Sequence, residues 1–249
     1  MVQFIMRAVD RVIQVSAQCR STRRYCADYL FEGKPDFSVE LTPQDIAFEQ
    51  EMTDRERELE GLPPLKMEDA LLESTALQRK IAEKLFEYDT LLFHGSVVAV
   101  DGNGYLFTAK SGTGKSTHTR LWREMFGDRA VMINDDKPFL HVKSDGIHVY
   151  GSPWNGKHRL GNNTDVPLKA ICILERGEQN EITRISANDA VPMLFRQSNR
   201  PRQSALLPKY MELLEDITNK VAFYRLKCNM EPEAALISYQ TMSGDVKEK

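Results

Sequence analysis

A short glycine-rich stretch carries the clearest chemistry in the chain. Residues 109–117 read AKSGTGKST, a small residue, four variable positions, glycine, lysine and a hydroxyl residue. Gly112 and Gly114 allow backbone N–H groups to turn inward around an anion. Lys115 supplies a charge for the β and γ phosphates of a nucleoside triphosphate, and Ser116 offers a hydroxyl to Mg²⁺. The residues predicted to bind ATP are Ser111, Gly112, Thr113, Gly114, Lys115, Ser116 and Thr117.

Two adjacent carboxylates follow at a distance that suits this loop. Asp135 and Asp136 lie twenty and twenty-one residues after Lys115, and Asn134 alone separates them from the apolar run 130–133. One carboxylate can hold Mg²⁺ while the other accepts the proton of an incoming hydroxyl. We assign Asp136 to the metal, together with Ser116, and Asp135 to the proton. The alternative is a solvated turn, because Asn-Asp-Asp-Lys-Pro also suits a turn.

His94 completes an arrangement that resembles a known family. The sequence runs from His94-Gly95 through a hairpin to SGTGKST and then to Asn134-Asp135-Asp136. This order resembles the HPr serine kinase/phosphorylase superfamily, which shares its P-loop nucleotide-binding fold with ATP-dependent phosphoenolpyruvate carboxykinase. The resemblance implies an α/β fold with a mixed sheet, a catalytic role for Lys115 and a base role for Asp135. It also implies that His94 lies close to Asp135 and tunes its charge.

The segment after the acidic residues departs from the HPr kinase pattern. HPr kinases carry a metal-binding glutamate and an arginine-glycine pair in that region, whereas this chain has residues 154–160, WNGKHRL. HPr is therefore not the expected substrate. Residues 151–157 and 166–170 resemble uncharacterised bacterial members of the superfamily, some of them associated with peptide-modification gene clusters. Lys157, His158 and Arg159 are candidates to receive a phosphate or acidic group of the substrate. An exposed basic turn is the alternative, and the same applies to a second basic segment, residues 196–202.

The hydrophobic pattern predicts an accessory segment, residues 1–88, and a kinase core, residues 89–249. Thr42, Pro43 and Asp45 form a helix-start signal in the first part. Glycines at 102 and 104 predict a hairpin turn in the second. The predicted strands are residues 9–15, 37–41, 91–100, 105–109, 130–133, 139–142, 147–150, 166–174 and 221–226. One predicted helix begins at residue 42. The other predicted helices cover residues 67–88, 115–126, 187–197, 204–220 and 232–242.

Composition narrows the class of protein. The chain has 249 residues, 28% of them charged, and a net charge of −3, which provides no basic surface for nucleic acid. Charged residues follow the apolar residues 2–6 at once, so we expect neither a signal peptide nor a membrane span. The expected location is cytoplasmic. Four cysteines without a CxxC pair argue against zinc, and Cys172 lies in an apolar run typical of a buried strand. A homo-oligomer is left open.

Three hypotheses for function follow. The first is a Mg²⁺-dependent kinase that transfers the γ-phosphoryl group of ATP to a hydroxyl of a small molecule, peptide or protein. The second is a carboxykinase-like enzyme, for which the chain is short and poor in the required basic and metal-binding residues. The third is a nucleotide-binding module without catalysis. The sequence does not identify the phosphate acceptor.

Overall fold

The computed structural model describes residues 1–244, and the chain forms two compact units, Met1–Lys84 and a second that begins at Leu85. The sequence-based boundary at residue 88 lies in the short 3₁₀ helix Phe86–Tyr88. The larger of the chain's two sheets is mixed and curled, which is consistent with the predicted α/β class. None of the helices within residues 1–244 has both the length and the apolar character needed to cross a membrane.

The first unit is built on a three-stranded sheet. Its elements are β1 (Val2–Ala8), β2 (Arg11–Ala17), α1 (Arg20–Tyr25), β3 (Phe37–Glu40), α2 (Pro43–Leu59) and α3 (Asp69–Leu85). Strands β1 and β2 pair antiparallel, and β3 lies parallel beside β2. Thr42 and Asp45 form the predicted capping box at the start of helix α2. The carboxylate of Glu73 on α3 is fully buried and accepts a hydrogen bond of 3.0 Å from the backbone N–H of Cys19, at the start of α1.

The second unit is a nine-stranded mixed sheet with helices on both faces. Its strands are β4 (Thr90–Leu92), β5 (Ser96–Val100), β6 (Asn103–Thr108), β7 (Ala130–Asn134), β8 (Phe139–Lys143), β9 (Gly146–Tyr150), β10 (Asp165–Arg176), β11 (Glu181–Ile185) and β12 (Ala222–Cys228). Its helices are α4 (Lys115–Phe126), α5 (Ala187–Gln197), α6 (Leu207–Lys220) and α7 (Pro232–Gly244). Residues from α4 and α7 pack on one face, and residues from α5 and α6 pack on the other.

Strand order explains what lies at the important edge of this sheet. The order runs β4-β8-β9-β10-β6-β5-β7, with β12 beside β10 and β11 beside β12. Strand β10 is parallel to both β6 and β12, so these three strands end at the same edge. Strand β5 is antiparallel to both β6 and β7, so β7 also ends there and β5 begins there.

Several local predictions differ from the structure. The strand predicted over residues 91–100 is broken into β4 and β5, because the chain leaves the sheet at His94-Gly95. Gly95 is required at this break: an added Cβ would lie 2.9 Å from a methyl carbon of Leu106. Strands β1 and β11 and helix α1 were not predicted. Helices α4 and α5 have the predicted bounds.

Candidate functional site

The three predicted motifs meet at one edge of the sheet. Residues 109–117, here called the glycine-rich loop, follow the end of β6, and Asp135 and Asp136, here called the acid pair, follow the end of β7. His94 immediately precedes the break that leads into β5, the strand between β6 and β7. Because β5 runs opposite to both neighbours, its start lies beside their ends. His94 and Asp135 are 41 residues apart in sequence, and the motifs that contain them are therefore neighbours in the structure.

The glycine-rich loop has the backbone geometry expected of an anion-binding turn. Gly112 and Gly114 have φ angles of 75° and 121°, which other residues rarely adopt. Helix α4 begins at Lys115, so its first N–H groups point toward the loop. Ala109 is buried and is not among the residues with positive φ, so alanine is tolerated at the first position. The Lys115 ammonium group donates to the carbonyl of Ala109 at 3.3 Å, and Ser116 is exposed.

A buried hydrogen-bond chain joins α4 to the acid pair. The Ser96 hydroxyl donates to Oδ1 of Asp135 at 2.7 Å and lies 3.0 Å from the hydroxyl of Thr119. Thr119 lies on the second turn of α4, and its hydroxyl also lies 3.3 Å from the carbonyl of Lys115. All three side chains are buried. This hydrogen-bond chain therefore fixes the distance between the Asp135 carboxylate and the helix that follows the loop.

His94 pairs with the second aspartate. Its Nε2 lies 3.2 Å from Oδ1 of Asp136. The ion pair of His94 is therefore with the neighbour of Asp135, the aspartate that the resemblance implied. Adjacent residues after a strand direct their side chains to opposite sides. Asp135 turns inward to Ser96 and is 6% exposed, whereas the Asp136 side chain is 36% exposed.

Two lysines, Lys137 and Lys115, interact electrostatically with the acid pair. The Lys137 ammonium group lies 3.8 Å from Oδ1 of Asp136. Burial lowers the pKa of Lys137, and the charge of Asp136 acts against that shift. Burial also lowers the pKa of Lys115, with a further decrease from Lys137 and an opposing effect of Asp136 and Asp135. Burial raises the pKa of Asp136, but its hydrogen bond with His94 and the nearby lysines outweigh that effect and hold the pKa below its usual value.

Sequence reasoning passed over Lys137, although it stands directly after the acid pair. Its backbone N–H donates to the side chain of Asn134 at 2.7 Å, and its carbonyl accepts from the hydroxyl of Ser152. The Asn134 side chain also accepts from the N–H of Asp136 at 2.8 Å. These bonds form the turn that the motif suggested. The turn and the functional arrangement are therefore compatible, because the turn itself directs Asp136 and Lys137 outward.

A strap, residues 151–164, crosses the end of β7. Ser152 anchors its start through Asn134, and Asn162 anchors its end, with bonds to the carbonyls of Ile133 and Met132. Between these anchors, Gly156 packs directly on the acid pair: an added Cβ would lie 2.8 Å from Oδ2 of Asp135. The glycine is required here by close approach, a reason that no local sequence signal reveals.

The strap brings the first predicted basic cluster to the site. Lys157, His158 and Arg159 are exposed and follow Gly156 directly. Arg159 has a φ of 47°, in the left-handed region, and its N–H donates to the carbonyl of Gly156 at 2.9 Å. The cluster thus begins one residue beyond a direct contact with Asp135. The substrate role of these three residues stays a prediction.

The second basic segment places Gln197 beside His94. Phe93 and Ser198 form an antiparallel bridge, and the N–H of His94 donates to the carbonyl of Gln197 at 2.7 Å. His94 and Gln197 lie opposite each other, so their side chains share one side. Gln197 Oε1 and Asn199 Nδ2 are buried without a hydrogen-bond partner among the described residues. Arg200 instead lies near Tyr210 of α6, whose pKa its charge affects.

The donor atoms at this edge suit Mg²⁺. Residues 1–244 contain no group of three or more His, Cys, Asp or Glu side chains placed to hold a metal. Mg²⁺ bound with a nucleotide needs only one or two carboxylates, since phosphates and water complete its six ligands. The Ser116 hydroxyl and the acid pair are oxygen donors of the type that Mg²⁺ prefers. The residues present therefore fit a nucleotide-bound Mg²⁺ and do not form a protein-only cage.

Comparisons with known proteins give a family match and weak similarity to solved structures. The search of curated proteins finds no match. The HPr(Ser) kinase/phosphatase from Coxiella burnetii is similar at a TM-score of 0.36 and 10% identity, over 61% of this chain and 99% of that chain. At this TM-score the superposition assigns no residue role. The model of the SynChlorMet cassette protein ScmC matches residues 64–234, which include the glycine-rich loop, the acid pair and the strap. Because this match covers more than half of the chain, the chain belongs to the ScmC family of SynChlorMet cassette proteins.

Proposed function

We propose that this protein is a Mg²⁺-dependent kinase that transfers the γ-phosphoryl group of ATP to a hydroxyl group. One observation carries the proposal: the buried Asp135–Ser96–Thr119 chain holds a carboxylate pair beside a glycine-rich loop that opens a helix. The loop supplies N–H groups and Lys115 for phosphate oxygens. The acid pair supplies carboxylates for a metal and for a proton. Phosphoryl transfer requires mainly positioning and charge stabilisation, and these residues provide both.

The geometry favours a reversal of the two aspartate roles. A base must reach the acceptor hydroxyl, and Asp136 is the more exposed member of the pair. We therefore assign Asp136 as the base and His94 as the group that orients it. Asp135, buried and held by Ser96, is the better placed of the two to hold Mg²⁺ with Ser116 in a fixed position. When bound, Mg²⁺ would neutralise negative charge on the phosphates.

In the proposed reaction the acceptor oxygen forms a bond to the γ-phosphorus, and the bond from that phosphorus to the β–γ bridging oxygen breaks. The acceptor proton moves to an Asp136 carboxylate oxygen, and ADP retains the bridging oxygen. The lowered pKa of Asp136 makes it a weak base. A weak base suffices because the transition state of phosphoryl transfer is loose and the acceptor proton is lost late. Lys115 and Lys137 would both face the negative charge of the transferred group.

The acceptor would enter between the strap and His94. The exposed residues Lys157, His158 and Arg159 would stand on one side of this approach. Cations favour an acceptor with a phosphate or carboxylate group. These features support an acceptor that carries an anionic group near its hydroxyl.

The test is transfer of label from γ-labelled ATP with Mg²⁺ into fractionated cell extract. Label in a discrete fraction, absent with the Lys115→Ala variant, supports a kinase and identifies the acceptor. The alternative is a nucleotide-binding module: ATP would bind with normal affinity while no fraction acquires label above that of Lys115→Ala. The second result would overturn the kinase proposal.

A further inference from the structure

A cavity of about 550 Å³ opens beside the glycine-rich loop. Its lining includes Gly112, Gly114 and Thr117 but neither Lys115, Asp135 nor Asp136. The cavity is therefore distinct from the acid pair, and no Asp or Glu side chain lines it. A volume of this size accommodates a nucleoside, since small-molecule sites commonly measure about 300–1,000 Å³.

The cavity lies at the carboxyl ends of parallel strands. Leu174, Arg176 and Gly177 border it from the end of β10, and Cys228 and Met230 border it from the end of β12. Ligands of open α/β sheets bind outside these strand ends. Apolar side chains, Leu121 and Leu174 among them, form part of the wall. The surroundings suit a flat, largely apolar ring with polar edges.

A buried histidine places a ring nitrogen without a partner in the cavity wall. His118 on α4 lines the cavity and is 2% exposed. Its Nε2 lies 3.1 Å from the indole nitrogen of Trp122 and 3.2 Å from the hydroxyl of Ser238, and the indole N–H also donates to that hydroxyl at 2.9 Å. Burial lowers the pKa of His118 to about 4, so the ring is neutral at pH 7 and Nδ1 is a donor or an acceptor according to the tautomer. Nδ1 has no hydrogen-bond partner among the described residues.

An arginine supplies the second polar group and links the cavity to the loop. The guanidinium group of Arg176 donates from Nη2 to the carbonyl of Gly112 at 2.6 Å. A guanidinium group carries five N–H donors, so others are available to ring nitrogens or to a ribose. Its planar face can also stack on a ring. Arg176 thus stands where a nucleoside would join its first phosphate.

We propose that this cavity is the nucleoside subsite, in which Nδ1 of His118 and the guanidinium group of Arg176 contact a purine ring or its ribose. The inference rests on the proposed function and adds to it the orientation of the bound nucleotide. The nucleotide crosses the loop with its nucleoside against β10 and β12 and its γ-phosphate against Lys115 and Asp136. Base recognition and phosphoryl transfer therefore take place in distinct regions beside the loop.

The experiment compares Mg²⁺-ATP with Mg²⁺-tripolyphosphate, which has the phosphates but no nucleoside. Calorimetry measures both affinities for the full chain and for His118→Phe, Arg176→Met and Met230→Ala. We expect ATP to bind at least tenfold more tightly than tripolyphosphate. His118→Phe and Arg176→Met should each weaken ATP binding by about tenfold, the usual effect of removing one hydrogen bond at a buried site. Tripolyphosphate affinity should not change.

Controls separate this proposal from the kinase proposal. Arg120→Met is the matched control, because Arg120 lies on the same helix, pairs with Glu124 and is absent from the cavity. Met230→Ala changes an exposed residue, so it tests the cavity even if His118→Phe fails to fold, and it should weaken the binding of ATP alone. Equal loss of ATP and tripolyphosphate affinity, or ATP binding no tighter than tripolyphosphate, overturns the subsite and leaves the kinase standing. Binding of neither ligand by the wild-type protein overturns both.

Discussion

Nε2 of His94 lies 3.2 Å from Oδ1 of Asp136, while the adjacent Asp135 accepts its hydrogen bond from Ser96. The two carboxylates therefore have different surroundings one residue apart. One is buried and tied to the helix after the glycine-rich loop, and the other is half-buried and flanked by a histidine and two lysines. Two carboxylates in such different environments can divide the metal and proton roles.

The first prediction concerns the glycine-rich loop. Lys115→Ala should weaken Mg²⁺-ATP binding by roughly 100-fold or more, because it removes a charge-assisted hydrogen bond to phosphate from a half-buried position. Calorimetry measures the affinity. Lys110→Ala is the control, since Lys110 is an exposed lysine at the start of the same loop and has no predicted phosphate contact. Equal affinity in the Lys115 and Lys110 variants would contradict the nucleotide site.

The second prediction separates the two aspartates. Asp136→Asn should lower the transfer rate about 10²–10⁴-fold and leave ATP affinity nearly unchanged, as expected when acid–base assistance is removed. Asp135→Asn should weaken Mg²⁺-dependent ATP binding instead. Label transfer at saturating ATP measures the rate, and titration with and without Mg²⁺ measures the affinity. The opposite pattern would return the base role to Asp135.

The third prediction concerns Lys137. Because its ammonium group lies 3.8 Å from Asp136, it should contact the γ-phosphate and not the β-phosphate. Lys137→Met should weaken ATP binding by about tenfold and leave ADP binding unchanged, because the variant lacks one charged hydrogen bond to the γ-phosphate. Competition with a fluorescent nucleotide measures both affinities. Lys143→Met, on β8, is the matched control. An equal decrease for ATP and ADP in the Lys137 variant would rule out a selective interaction with the γ-phosphate.

The fourth prediction concerns the strap. Gly156→Ala introduces a methyl group 2.8 Å from Oδ2 of Asp135, a distance that forces either the strap or the carboxylate to move. We expect transfer activity to fall at least tenfold while the free energy of unfolding falls by only about 1–3 kcal/mol, the typical cost of overpacking. Gly244→Ala is the control, because an added Cβ there meets no atom within 4 Å. Full activity of Gly156→Ala would show that the strap does not position Asp135.

The fifth prediction concerns pH and stability. Burial lowers the pKa of His118 to about 4, below its unfolded value of about 6.5. As the pH falls, His118 in the unfolded state therefore binds a proton before His118 in the folded state does. The stability contributed by the neutral ring is complete above pH 6.5 and is lost progressively as the pH falls toward 4.

Between pH 7 and pH 5 this group should remove about 2 kcal/mol from the free energy of unfolding. Denaturant titrations at both pH values measure the loss. His118→Phe should show a pH-dependent loss smaller by about that amount, because its ring cannot titrate. An identical pH dependence in the variant would show that His118 is protonated equally in the folded and unfolded protein.

Local signals predicted the local structure of both units. The capping box of Thr42 and Asp45, and the bounds of α4 and α5, follow from residues within a few positions of each other. The break after β4 did not follow from the sequence, because the apolar run 91–100 has no strong breaker besides one glycine. The short strand β11 was missed for a related reason: it is largely exposed and lacks an alternating apolar pattern.

The sequence by itself determined the glycine-rich loop, the helix after it and the presence of two carboxylates at a strand end. Those features depend on backbone conformations that glycine, hydroxyl residues and apolar spacing specify locally. Only the tertiary structure decided that His94 pairs with Asp136, that Gly156 packs on Asp135 and that His118 borders a cavity. Each of these contacts joins residues 42, 21 or more than 50 positions apart. They exist because β5 lies between β6 and β7, and because β10 and β12 end beside the loop. Strand pairing between distant segments sets these distances, and no short stretch of sequence records that pairing.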